Sequence, residues 1–129
     1  MATVPAETMI TPFERLREEI LQIAGVHERT NHGVYDHSFH LGRRMIAHVN
    51  GKKQLHLTLP KEEARELSEA GKVRLHSIAR LAAAGHVVLH FGSEPQYEIA
   101  IALVRRLAER TALELREMAE RNSNKSPNA

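Results

Sequence analysis

His48 and His56 sit in the two arms of the stretch RRMIAHVNGKKQLHLTLP, residues 43–60, which reads as a β-hairpin. Imidazole gains and loses a proton near neutral pH, so one in each arm raises the question of acid–base work. Nine histidines occur in the chain, at 27, 32, 37, 40, 48, 56, 76, 86 and 90, all within its middle. Metal binding is the first chemistry to weigh. His86 and His90 would share one face of a helix, but VVLHF reads as strand, where four residues separate them by about 13 Å. His37 and His40, three apart in a strand, point to opposite faces. With no HExxH pattern, no Cys and a single Asp, no protein-built metal site is expected. Nucleophilic catalysis is poorly supported as well. There is no GxSxG, and Ser38, Ser68, Ser77 and Ser93 read as strand, helix or cap residues. Asn50-Gly51 is turn chemistry rather than a phosphate loop.

What remains is convergence of imidazoles on one sheet face. A two-residue turn at Gly42-Arg43 pairs Leu41 with Arg44 and puts His37 opposite His48. A three-residue turn at Asn50-Gly51-Lys52 puts His48 opposite Gln54, with His56 diagonal on the same face. A two-residue turn there would send His56 to the other face. On the first register His37, Ile46, His48, His56 and Thr58 line one surface. The competing reading is a solvated outer face with a few polar side chains.

The elements that must hold these residues follow from periodicity. Thr11-Pro12-Phe13-Glu14 is a capping box, and Phe13, Leu16, Ile20 and Ile23 recur at helical spacing up to Gly25. From Val26 to Pro60 the period changes to that of a three-stranded antiparallel meander: 37–41, 44–49 and 54–59. A helix is expected over 61–70, a strand over 73–76, a short turn of helix over 78–84 capped by Ser77, and a last strand over 86–91. A long helix then starts at Ser93-Glu94-Pro95-Gln96 and carries an apolar stripe from Tyr97 to Met118. The expected architecture is α+β, an antiparallel β-meander sheet packed by the N-terminal and long C-terminal helices on one face. Residues 1–10 read as a flexible arm, 11–121 as one domain, and 122–129 as a disordered tail.

Composition bounds the function. With 42% apolar and 26% charged residues, 129 residues suffice for one core. Aromatics are scarce and Trp is absent, which disfavours a base-stacking surface. A net charge of +2 is no polybasic footprint; only Arg43, Arg44, Lys52 and Lys53 cluster, so a nucleic-acid role through those turns is the alternative reading. The N-terminus has no secretory character, and the longest uncharged stretch, the 13 residues between Arg80 and Glu94, is too short to span a bilayer. No membrane association and a cytoplasmic location are expected. The last helix outruns the domain it covers, and Leu115 and Met118 are expected to pack on a second copy of the chain.

RRMIAHV, LHLTLP, EAGKVRLH and HVVLHFGSEPQYEIAIALVRRL together resemble the small bacterial luciferase-domain family and the C-terminal half of the fungal luciferases. The likeness covers roughly residues 12 to 110, and its most specific pieces are Ile46-Ala47-His48, Leu55-His56-Leu57 and Leu75-His76. It implies a luciferase-type domain; fungal members oxidise a hispidin-derived pyrone with O₂ without metal or organic cofactor. On that likeness His48, His56 and His76 are the catalytic candidates, while His37, Ile46, Thr58 and His86 are candidates for binding a small aromatic or enolic ligand. No cofactor is expected. Three features depart from the family: Met45 stands where Glu is common, His86 where a Trp-like residue is common, and MATVPAETMI has no counterpart of the fungal membrane segment.

Overall fold

A computed structural model describes residues 10–30, 36–50 and 53–125. The expected arm apart from Ile10, together with His32, Gly51, Lys52 and 126–129, lies outside these residues.

Helix α1, Pro12–Leu21, starts on the expected capping box. The Glu14 N–H donates to Thr11 Oγ1 at 3.1 Å, and the Thr11 N–H donates back to the Glu14 carboxylate at 3.0 Å. Phe13, Leu16 and Ile20 are its buried stripe. Strands β1 (Val26–Thr30), β2 (Asp36–Leu41), β3 (Arg44–Asn50) and β4 (Gln54–Thr58) follow as an antiparallel meander. The meander has four strands rather than three. The pattern VHERT hides β1, because Glu28 faces the helices and is neutralised there by Arg17 of α1.

After β4 the chain runs through α2 (Lys61–Glu69), β5 (Arg74–Leu75) and α3 (Ala79–Ala83) before β6 (His86–His90) returns between β4 and β5. The six strands lie in the order β1-β2-β3-β4-β6-β5, every pair antiparallel. Ser77 does not cap α3; Ile78 holds the cap position without a side-chain hydrogen bond. Gly85 makes the entry to β6 possible. Its φ is 95°, and a Cβ there would come within 2.0 Å of the Leu59 carbonyl oxygen. The Leu59 N–H donates to the Gly85 carbonyl at 2.9 Å, so β6 leaves this contact in register with β4.

Helix α4, Glu94–Lys125, packs with α1 on one face of the sheet, and Glu63 of α2 reaches Arg106 of α4 at 2.7 Å. Phe39, Val49, Leu55, Leu57, Val87 and Phe91 are buried beneath them, as the period-two pattern of β4 and β6 requires. The helix runs on to Lys125, into the stretch that reads from sequence as a tail, because extending a formed helix by a turn costs little. Among the described residues no helix is long and apolar enough to cross a membrane.

Candidate functional site

Register decides which histidines meet. β3 and β4 pair with Asn50 opposite Gln54, which puts His48 directly opposite His56. The same-face expectation therefore holds, with the pairing one step closer than the diagonal. The rings of His48 and His56 have centroids 5.2 Å apart. His56 in turn lies opposite Val88 of β6, and Thr58 opposite His86. Just past β5, the His76 N–H donates to the His86 carbonyl at 3.0 Å, carrying the register one residue beyond the strand. The His76 ring then sits 5.9 Å from His56 and 6.4 Å from His86. Four half-buried imidazoles thus form a continuous row, His48–His56–His76–His86, on the face opposite α1 and α4.

Hydrogen bonds orient His76 and place His86 beside Thr58. The Ile78 N–H donates to His76 Nδ1 at 3.0 Å, so a neutral His76 carries its proton on Nε2 and can only donate from there. His86 Nδ1 is 3.3 Å from Thr58 Oγ1, which ties Thr58 to the row.

His37 and Ile46 do not join it. A β-bulge interrupts the β2–β3 ladder: Phe39 lies opposite Ala47, but His40 lies opposite Met45, and Ile46 is the extra residue. North of the bulge, toward Asn50, the expected pairing slips by one, so His48 faces Ser38 while His37 faces Val49. One residue of slip reverses the face. His37 therefore points to the helix side, its ring 4.8 Å from that of Phe13. Ile46 is 3% exposed and belongs to the apolar core cluster, although regular alternation would have aligned it with His48. Met45 is left 57% exposed.

Sequence reasoning missed an extension of the imidazole surface. His27 of β1 lies opposite His40 of β2, with ring centroids 5.7 Å apart and stacked. His40 Nε2 is 2.9 Å from Ser38 Oγ, and the Ser38 hydroxyl reaches the Arg29 carbonyl at 3.1 Å. Ser38 is only 2% exposed and stands beside both His40 and His48, linking the two groups of rings. Burial, and then the nearby charges of Arg29 and His27, push the His40 imidazole below its ordinary value. The alternation His27-x-Arg29 was the available signal, but it means something only once β1 is recognised as a strand.

Of the basic cluster, Arg44 is engaged by the fold. Arg44 reaches Glu114 and the Met118 sulfur on α4. Among the described residues no group of three or more metal-ligating side chains is placed to hold an ion.

A helix-backed antiparallel sheet with an imidazole row defines the class as an α+β small-domain protein. The chain belongs to the luciferase-domain family: residues 43–106, about half of the chain, match the family model described as Luciferase domain. His48, His56, His76 and His86 all fall inside that segment. No curated protein and no solved structure matches the chain.

Proposed function

We propose that this luciferase-domain protein is a cytoplasmic small-molecule-binding protein that carries out acid–base chemistry, without a cofactor, on an aromatic or enolic ligand at the imidazole row. The observation that supports this reading is the unbroken chain of ring contacts from His48 through His56 and His76 to His86. Cross-strand pairs are usually chosen for packing, whereas four adjacent imidazoles contribute little to stability and much to proton handling. In this reading His48 or His56 takes the proton of an enolic hydroxyl. His76, limited to donating from Nε2, hydrogen-bonds the resulting enolate oxygen, and Thr58 with His86 borders the ligand. An enolate so held is the electron-rich species that O₂ attacks in the family's oxidative chemistry, which makes oxygenation the reaction to assay.

Oxygen uptake with a panel of hydroxypyrones and aromatic enols tests the proposal. Uptake that disappears in His48→Ala and His56→Ala, with melting temperatures near that of the parent, supports it. Uptake indifferent to both substitutions, or ligand binding that leaves these rings untouched, overturns it.

A further inference from the structure

Across the sheet from the row, the start of α1 and the ends of β2 and β6 enclose a pocket of about 980 Å³. Phe13 and Phe91 wall it, and Arg17, Glu28 and His37 line it. Glu28 is shared with care. Its Oε2 is 2.6 Å from His37 Nδ1, while its Oε1 receives Arg17 Nε and Nη2, each at 2.8 Å. The carboxylate is 11% exposed and the His37 side chain 17%. With Nδ1–H donating to Glu28, the neutral ring presents its lone pair at Nε2.

We propose that this pocket is a second small-molecule site, in which His37, oriented by Glu28 and Arg17, accepts the proton of a weakly acidic hydroxyl on a planar aromatic ring. The ligand's O–H bond breaks and an Nε2–H bond forms, leaving an aryloxide beside an imidazolium that Glu28 already faces. Lys53 and His90 also line the pocket and favour the anion. Glu14, the other carboxylate there, is engaged in the α1 cap. The ring of the ligand lies against Phe13 and Phe91. Burial by itself would raise the Glu28 carboxyl, but hydrogen bonds from Arg17 and His37, and their charges, hold it below the ordinary carboxylate range. The site is independent of the imidazole row. Phe13, Arg17, Glu28 and His37 all precede the family-matched segment, whereas Lys53, His90 and Phe91 lie within it.

p-Nitrophenol is the probe, because its phenolate absorbs visible light and its phenol does not. Held just below the probe's own pKa, the intact protein should raise the phenolate absorbance. The resonances of His37, Phe13 and Phe91 should shift while those of His48, His56 and His76 stay still. His37→Gln should bind about tenfold more weakly, the worth of one hydrogen bond at a partly buried group, and lose the absorbance gain. Glu28→Gln should still bind but with a smaller gain, a proton-transfer readout that a purely structural role would not move. The wild-type spectra decide the matter even if a variant folds poorly. Shifts confined to the open-face histidines, no shifts at all, or a gain undiminished in a folded His37→Gln overturns the proposal.

Discussion

Protonating Glu28 would weaken two bonds at once, since Arg17 holds one carboxylate oxygen and His37 the other. The folded protein keeps this carboxyl below its ordinary value of 4.5, so the unfolded chain binds the proton more tightly. The stability it contributes is complete above 4.5 and is lost as the pH falls below that value. Urea midpoints measured down an acid series should show this loss, and Glu28→Gln should flatten it. His40 acts in the same direction at higher pH. Its imidazole is held below 6.5 by burial, Arg29 and His27, so folding favours the neutral ring. Its contribution is full above 6.5 and declines as the pH falls through and below that value. His40→Gln should remove this part of the slope, read as the difference in melting temperature between neutral and mildly acidic buffer. Neither residue's role could be read from sequence, because both depend on β1, whose only hydrophobic residue is Val26.

The elements make the row by holding register. Gly85 fixes how β6 enters beside β4, and the bulge at Ile46 decides which β2 side chains share the face of the row. Gly85→Ala would drive a methyl into the Leu59 carbonyl and force an L residue to a φ of 95°. A loss of at least about 2 kcal/mol in unfolding free energy is expected from strain of this kind, measured by chemical denaturation. Much of the architecture was legible. The Thr11 capping box, the alternation Leu55-His56-Leu57-Thr58 and Gly25 carry local signals that the structure reproduces. The bulge was not legible, because Arg44-Met45-Ile46-Ala47-His48 is compatible with an unbroken strand. Only burial of Ile46 in the core favours the slip. That slip explains why His37 and Ile46 lie away from the row, which the β3–β4, β4–β6 and β5–β6 registers assemble from His48, His56, His76, Thr58 and His86.

Across the whole molecule, α1 and α4 cover one sheet face and the imidazole row lies on the other. The expected homodimer through α4 has a narrower footing than the sequence suggests. Leu115 lies 3.4 Å from the position a Cβ on Gly42 would take, and the Met118 sulfur accepts from Arg44, so both contact their own β2–β3 turn. Among the described residues Leu113 and, in part, Met118 are the large apolar side chains that α4 leaves exposed for a partner. Light scattering should give twice 14.5 kDa if α4 pairs two copies, with Leu113→Lys returning the single mass. A single mass in the parent protein removes the dimer. On this reading the histidines of β3, β4 and the β5 end form one ligand site. This is tested most directly by histidine-resolved NMR during titration with hydroxypyrones and aromatic enols. The ring resonances of His48, His56 and His76 should move together along one binding curve, separate from any curve that His37 traces. Rings that ignore every compound, or that respond singly with unrelated affinities, would contradict it.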